Sequence, residues 1–460
     1  MFFLSVCKRS AQRLWPLLAV GAIAACGGNT DESTLDTAAQ PDIAQDAGLD
    51  AVPEDIATEL SEDAGDDDAD DDDGRDDTGS GDTGSDDGRD DTGSDDGEGD
   101  TSQPDITEEV GEPEPTWPSF ALEDLPFDTL DEYGFFVGEL GEQTLAPGVL
   151  PYSPVSPLWA DHAGKGRYVF VPEGAHITFE QSADDEGSEP GEAWQYPLGA
   201  VIIKTFYLDL DRSDTQAGEA RIIETRLMIQ EDDGWSMHTY VWNDEQNAAE
   251  RKVAGSRVMV DVIDADGEPF EQLYFVPNTN ECSSCHERSD VQHTLGLVAY
   301  QLDYDIDVEG ESVNQLQWLA DQGLFGPDAV VEAGTYTPLS SPTDDDISIH
   351  DRARSYLHAN CAHCHREGGG GGRTGLDLRF FEEDPARYGV CKAPIAAGVG
   401  AGGRAYDIWP GEPDLSILPY RMATPDPEIR MPELATVLID DFGVDLITEW
   451  ILSMDGEDCE

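Results

Sequence analysis

Two pentapeptides in the second half of the sequence contain the residues whose types and spacing most clearly indicate chemistry. Residues 282–286 read Cys-Ser-Ser-Cys-His, and residues 361–365 read Cys-Ala-His-Cys-His. At this C-x-x-C-H spacing, two thiols can add to the vinyl groups of one haem while the histidine ligates its iron. The sequence therefore predicts two covalently bound haem c groups. The cysteines that would hold them are Cys282, Cys285, Cys361 and Cys364.

The histidine that ends each motif separates this interpretation from other uses of paired cysteines. A C-x-x-C pair also occurs in zinc sites and in thiol redox pairs. A tetrahedral zinc site built from both pairs would use four cysteines and would leave His286 and His365 without a role. We therefore predict that these two histidines are ligands of haem iron.

A methionine after the second motif is our predicted distal ligand. Met431 lies in an Arg-Met-Pro sequence seventy residues beyond Cys361, and His/Met ligation raises the potential of a haem iron relative to bis-histidine ligation. In the alternative interpretation, Met431 only fills a core. Met422 competes for the role, but the apolar spacing of residues 415–422 predicts a packed helix there.

The first motif has no such methionine close behind it, because none occurs between His286 and Met422. Its distal ligand could be another histidine, or the position could be open. An open position permits small-ligand chemistry, whereas a closed one favours electron transfer. The candidate ligands in the sequence are His293, His350, His358 and, from a predicted strand, Met237 and His238.

Two predicted helices would position the second motif. Apolar residues at helical spacing predict one helix that ends just before Cys361. A closing helix is predicted over residues 444–452, and it has a single apolar face. Helix, motif, Met-Pro and closing helix follow the order of a small class-I-like cytochrome c fold. The apolar face of the closing helix consists of Leu446, Ile447, Trp450 and Ile451.

The region before the first motif is predicted to consist of strands, so that this motif follows a strand rather than a helix. β-Branched and aromatic residues dominate five runs, which Gly-, Asp- and Pro-containing turns separate. We expect an antiparallel sandwich or barrel. After the motif, a helical pattern from Val313 to Ala320 is predicted to stop at Gly323. The five runs are 168–171, 201–207, 222–229, 237–242 and 258–263.

Composition sets one long segment apart from the rest of the chain. The formal net charge is -74, and residues 29–115 alone hold 34 acidic residues against two arginines. Such a segment cannot bury enough apolar surface to offset its ordering entropy. We therefore expect a multidomain α+β protein with a disordered arm. The predicted parts are an acidic linker (26–115), a β-rich domain (116–277), a first haem segment (278–343) and a cytochrome c-like domain (344–460).

The N-terminus is typical of an export signal. Three basic residues precede an apolar run over 14–25 that is too short for a comfortable membrane span. The run ends at Cys26 in a sequence that resembles a bacterial lipobox, which predicts a signal peptide over 1–25 and acylation of Cys26. A plain secretory peptide is the alternative. In an oxidising compartment, Cys391 and Cys459 could form a disulfide.

These features together resemble bacterial exported di-haem c-type cytochromes, in which a β-rich region precedes two C-x-x-C-H motifs. The resemblance runs from about residue 133 to residue 451. It implies haem attachment at both motifs and does not identify a biological substrate. The chain departs from the pattern in its acidic arm and in residues 291–297, which lack an expected basic residue. The resemblance is carried by residues 150–152, 203–207, 223–227, 240–243, 276–278, 360–365, 375–379 and 430–434.

The sequence favours an electron-transfer protein over a catalyst. We predict a lipid-anchored cytochrome in the bacterial envelope, in the periplasm or at the outer membrane, whose acidic surface would suit a redox partner with a basic face. We predict no nucleic-acid partner. One alternative is a haem enzyme of peroxidase type that uses an open first haem. The other is an envelope binding protein with a redox accessory module.

Overall fold

The structure is a computed structural model in which all described residues belong to one compact unit. The predicted signal peptide, Cys26 and the acidic linker lie outside the described residues. None of the described helices combines the length and the apolar composition needed to cross a bilayer. The described residues are 116–179, 194–214, 218–289, 291–327, 329, 331, 333–456 and 459.

The described residues form a mixed α and β structure in which every paired strand is antiparallel to its neighbour. The strands are β1 (Phe136–Val137), β2 (Thr144–Leu145), β3 (Val149–Pro151), β4 (Gly164–Phe170), β5 (Thr178–Phe179), β6 (Trp194–Gln195), β7 (Val201–Asp209), β8 (Ala220–Glu231), β9 (Gly234–Trp242), β10 (Ala249–Arg251), β11 (Ser256–Ile263), β12 (Pro269–Val276), β13 (Glu287–Arg288), β14 (Val291–Gln292), β15 (Asp305–Val308) and β16 (Glu311–Asn314). The helices are α1 (Thr279–His286), α2 (Ala299–Leu302), α3 (Gln315–Asp321), α4 (Ile349–Asn360), α5 (Ile417–Met422) and α6 (Asp441–Ser453).

A six-stranded sheet with the order β10-β9-β8-β7-β4-β3 is the centre of the β-rich region. Its three longest strands, β7, β8 and β9, correspond to predicted runs of β-branched and aromatic residues. Because β10 and β3 are both edge strands, the described strands of this sheet do not close a barrel. The separate hairpin of β11 and β12 packs through Val260 and Tyr274 against Phe206 of the sheet, as the second layer of a sandwich would.

The two faces of the sheet have different coverings. On one face, Ile203 and Tyr240 pack against Tyr133 and Phe135 from the segment before β3. On the other face, Ile202 and its neighbours pack against residues of α2 and α3, and the β11–β12 hairpin covers the far end. The strip of sheet between these two coverings faces a cavity.

The C-terminal region is helical where the sequence predicts helices. Helix α4 ends at Asn360, directly before the second motif, and α6 contains the predicted closing segment. All four residues of its predicted apolar face are buried in one cluster with Leu357 and Met422. A disulfide joins Cys391 to Cys459. The helix predicted from Val313 instead begins at Gln315, because Val313 pairs with Ile306 in the β15–β16 hairpin.

Candidate functional site

The two C-x-x-C-H motifs lie side by side, although 75 or more residues separate them in the chain. The thiol of Cys364 donates to the carbonyl oxygen of Ser284 at 3.7 Å, and the backbone N–H of Ser289 donates to Gly368 O at 3.2 Å. Ligand atoms of Cys285, His363 and Cys364 all lie within 4.8 Å of one another. The sequence predicts that the first haem lies at a junction with the β-rich region or against the second module, but it does not indicate which residues of the two motifs meet.

The first motif occupies a short helix that begins directly after a strand. Strand β12 ends at Val276, and Asn278 caps α1 by accepting hydrogen bonds from the N–H groups of Asn280 and Glu281. The Glu281 carboxylate in turn accepts from Asn278 N at 2.8 Å, which completes a capping box. This cap determines where the helix starts, and therefore positions the cysteines and the histidine of the motif.

His286 is held through one ring nitrogen. Its Nδ1 lies 2.9 Å from the carbonyl oxygen of His293, so this nitrogen carries the proton and donates. Nε2 has no hydrogen-bond partner among the described residues. Metal-ligating histidines almost always donate their second ring N–H in this way, which fixes the tautomer and the ring orientation. Burial lowers the pKa of His286 to about 4, which keeps the imidazole neutral at pH 7.

His365 of the second motif has the same arrangement. Its Nδ1 lies 3.2 Å from Thr374 Oγ1, and that hydroxyl donates to Gly371 O at 2.7 Å. The hydroxyl therefore accepts from Nδ1–H, and Nε2 again has no partner among the described residues. Gly371 must be a glycine, because a Cβ there would lie 2.9 Å from the His365 ring. Burial lowers the pKa of His365 to about 4.

Two of the other histidines proposed as distal ligands are engaged elsewhere. His358 accepts from Phe380 N at 3.0 Å through Nδ1, and its Nε2 lies 3.3 Å from the hydroxyl of Tyr300. Both of its ring nitrogens are therefore used. His350 accepts at Nδ1 from the indole N–H of Trp450 at 3.2 Å. These contacts describe structural histidines of α4 rather than iron ligands.

Met431 lies in the loop between α5 and α6. Its backbone N–H donates to the carbonyl oxygen of Arg421, the penultimate residue of α5, at 2.9 Å. The charge of Arg421 also acts on His365 and, after burial, contributes most to lowering the pKa of that histidine. Arg421 therefore connects the Met431 loop with the second motif. The role of Met431 as a ligand stays a prediction.

A cavity of about 580 Å³ opens beside the first motif, which is within the size range of cofactor sites. Its walls include Cys282, Cys285 and His286 from the first motif and Ala362 and His363 from the second. The opposite wall is the six-stranded sheet, which contributes Met228, Met237 and His238. The β-rich region thus packs against the first motif, and Met237 and His238 stay candidates for a distal ligand.

Sequence reasoning missed the charges that line this cavity. Among the described lining residues, five are lysine or arginine and only Glu281 is acidic, in a chain with 99 acidic and 25 basic residues. The sheet supplies three of these cations, Arg167, Lys204 and Arg226. Lys204 is the one charged residue within 201–208 of β7, and this is the signal that could have revealed it.

The three residues Cys285, His363 and Cys364 are also a possible donor set for a metal ion. Thiolate and imidazole ligands suit zinc. A hydrogen bond from the Cys364 thiol lowers the pKa of Cys285 and raises that of Cys364. Because this set uses one cysteine from each motif, it cannot be filled together with two thioether-linked haems.

No protein-family model, no curated protein and no solved structure matches this chain. The site is therefore interpreted from its own geometry.

Proposed function

We propose that the protein is a di-haem c-type cytochrome that transfers electrons in the bacterial cell envelope. The observation that carries the proposal is the shared state of the two motif histidines. His286 and His365 are each half-buried, each held at Nδ1 by an acceptor, and each without a partner at Nε2 among the described contacts. In two different structural surroundings, the same ring nitrogen, Nε2, is thus left available to bind a metal.

The residues of this chain fit the cofactor. Haem would supply reversible one-electron redox chemistry, and the four motif cysteines would hold it through thioether bonds. The neutral imidazoles of His286 and His365 would ligate iron without first losing a proton. The cavity beside the first motif has an apolar part, which includes Ile202, Met228 and Met237, against which the apolar surface of the cofactor would pack.

The contact between the motifs supports electron transfer rather than two independent functions. Cys285 and Cys364 belong to one cluster of donor atoms, so groups attached to them would lie close together. The predicted export signal and Cys26 lead us to place the protein in the envelope, anchored by lipid. Its acidic composition suits a partner with a basic face, and such an association would weaken as salt concentration rises.

We further propose that residues 344–460 are a cytochrome c-like module with Met431 as distal ligand. Support comes from α4, which leads into the motif, from α6, which closes the cluster, and from the link between the Met431 loop and α5. Met431→Leu should abolish the sulfur-to-iron absorption band. Met422→Leu is the matched control, because Met422 is buried in the helical core and should leave the band intact. A band that persists in Met431→Leu contradicts the assignment.

The purified protein tests the proposal directly. We expect two covalent haems per chain by haemochrome assay and mass spectrometry, both low-spin and six-coordinate in absorption and resonance spectra. One high-spin haem that binds carbon monoxide would instead favour a haem enzyme of peroxidase type. A protein without covalent haem contradicts both functions.

A second candidate is a metal protein built on Cys285, His363 and Cys364, whose donor atoms already lie within 4.8 Å of one another. The two functions differ in their response to His363→Ala, since His363 occupies a variable position of its motif. The variant should keep two haems if the protein is a cytochrome. If the metal site is correct, the wild type should bind one zinc ion per chain and the variant should lose it. Neither the wild type nor the variant should then contain haem.

A further inference from the structure

Three cations form a row across the middle of the six-stranded sheet. Arg167 of β4 lies directly opposite Lys204 of β7, and Lys204 lies directly opposite Arg226 of β8. Neighbouring strands are about 4.8 Å apart, and like charges directly opposite each other destabilise a sheet. All three side chains line the cavity beside the first motif.

Among the residues that the structure describes, a carboxylate balances only one of these three charges. Glu224 binds Arg226 through both oxygens, with Arg226 Nε at 2.8 Å from Oε2, and it also accepts from the Tyr274 hydroxyl at 2.8 Å. The charges of Glu224 and Arg226 therefore neutralise each other within the protein. The remaining two cations of the row have no carboxylate partner among the described residues.

Arg167 and Lys204 therefore face the cavity as uncompensated charges. The one hydrogen bond described for the Arg167 guanidinium reaches Lys165 O at 3.4 Å. The Lys204 ammonium lies 5.0 Å from the centre of the Phe206 ring. Burial, followed by the charges of Arg167, Lys165 and Arg226, lowers the pKa of Lys204 well below its ordinary value. A bound anion would remove this repulsion.

The next row on the same face is apolar. Two residues along each strand, Ile202 lies opposite Met228, which lies opposite Met237. All three line the cavity, about 7 Å from the cationic row. We call Ile202, Met228 and Met237 the apolar plate. It lies beside a strip of the cavity wall that contains Arg167 and Lys204, the two cations without a carboxylate partner among the described residues.

The first motif lies against this wall. Cys282 packs on the cluster that contains Ile202, Met228 and Met237, and His286 lines the same cavity. A group attached at Cys282 and ligated by His286 would occupy this cavity. The cavity wall offers the apolar plate to an apolar surface of such a group and the adjacent strip to any carboxylates that it carries.

We infer that Arg167 and Lys204 bind the two propionate groups of the first haem. This inference rests on the proposed function and extends it to the sheet. The number of free charges equals the number of propionates, and the apolar plate matches the porphyrin ring. Arg167 can bind one carboxylate through its planar fork, and Lys204 can bind the other as a point charge.

The test is a redox titration of the full-length protein with both haems attached. Lys204→Met removes one positive charge beside the first haem, which favours its oxidised form. We expect a roughly fivefold rise in the ratio of oxidised to reduced haem for one of the two haems at a fixed applied potential. The other haem should be unchanged, and Lys204→Arg should restore the wild-type titration.

Lys252→Met is the matched control, because Lys252 pairs with Glu250 on the surface and should leave both haems unaffected. If Lys204→Met does not fold, Arg167→Gln removes the other charge and is expected to have the same effect. If every folded variant carries two haems and titrates like the wild type, the inference about Arg167 and Lys204 is wrong, but the proposed function is unaffected. Wild-type protein without covalent haem overturns the proposed function itself.

Discussion

The same pentapeptide pattern lies in two different kinds of surroundings in this protein. The first motif is in an eight-residue helix with no buried residue, and it faces a β-sheet across a cavity. The second follows α4, in which seven of twelve residues are buried, and packs beside α6. The second region has a hydrophobic core of its own, whereas the first depends on the sheet for a wall.

The two regions also differ in how their charges are balanced. Near the second motif, Asp377 binds Arg379 and Arg387, and Lys392 binds Asp407 at 2.9 Å. Near the first motif, Arg167 and Lys204 have no such partner among the described residues. Several charges beside the second motif are thus balanced within the protein, whereas the cavity beside the first motif leaves room for a ligand to balance those of the sheet.

The largest effect is expected when the cysteines of one motif are removed. Cys282→Ser with Cys285→Ser should eliminate one covalent haem and leave the second region folded with its own. The reverse pair, Cys361→Ser with Cys364→Ser, should also eliminate one. Mass spectrometry counts the haems, and Ser283→Ala is the control that should retain both. If either pair of changes removes both haems, the two regions are not separate attachment sites.

Trp450→Ala should have the largest effect on folding of the second region. The side chain is 1 % exposed, and truncation of a buried tryptophan costs about 3–5 kcal/mol in free energy of unfolding. Leu452→Ala on the same helix is the control, since Leu452 is 58 % exposed. Chemical denaturation measures both. A similar loss in the two variants would contradict the view that α6 is the centre of this core.

Asp377→Asn should weaken the turn next to the second motif by about 1.5–3 kcal/mol. Leu378, the adjacent residue, donates its N–H to His365 O at 2.9 Å. Burial raises the pKa of Asp377, but the hydrogen bonds and charge of Arg379 outweigh it and lower that pKa overall.

The stabilisation from Asp377 should therefore be complete above the unfolded pKa, near pH 4, and should be lost as pH falls through the lower folded value. Denaturation at pH 7 and at pH 3 measures this. The difference between wild type and variant should shrink at the lower pH. Glu383→Gln, at an exposed neighbouring position, should show no such difference, and a pH-independent effect of Asp377→Asn would rule out this explanation.

The smallest effect is expected at the link between the two regions. Asp161 precedes β4, and its carboxylate accepts from Val437 N at 2.8 Å and from Leu438 N at 3.0 Å. Asp161→Asn removes one of two acceptors, which should cost about 0.5–1.5 kcal/mol. Asparagine tolerates the φ of 50° at this position, so backbone strain should not contribute.

Thermal unfolding followed separately by β-sheet signal and haem absorption measures the Asp161 effect. We expect both signals to shift together, because the link couples the regions. Asp261→Asn, on an exposed side of β11, is the control. If only one signal shifts, the two regions unfold independently.

Much of the fold could be predicted because its signals are local. The run 201–207 is rich in β-branched and aromatic residues and became β7, and the apolar face around Trp450 became α6. Both patterns depend only on the period of side chains along one element. The attachment residues of the candidate site were predictable for the same reason, since their spacing is contained in five residues.

The rest depended on register and on contacts distant in sequence. Nothing local indicates that Lys204 lies between Arg167 and Arg226, because that placement requires the pairing of three strands. The contact of Cys364 with Ser284 likewise arises only when the helical region packs beside α1. The helix expected from Val313 began two residues later, since a hairpin pairing overrode the helical pattern.

The closeness of Cys285 and Cys364 has a consequence for how the protein is made. Thiols within the 4.8 Å of this cluster are ready to oxidise to one another in an exported protein. Such a cross-link would take one cysteine from each motif and block both at once. If haem is attached as we propose, it must reach the chain before α1 and the turn after α4 come together. Haem attachment would then have to precede this step of folding, and haem that arrived later would meet a folded protein whose thiols are cross-linked until a reductant breaks the disulfide.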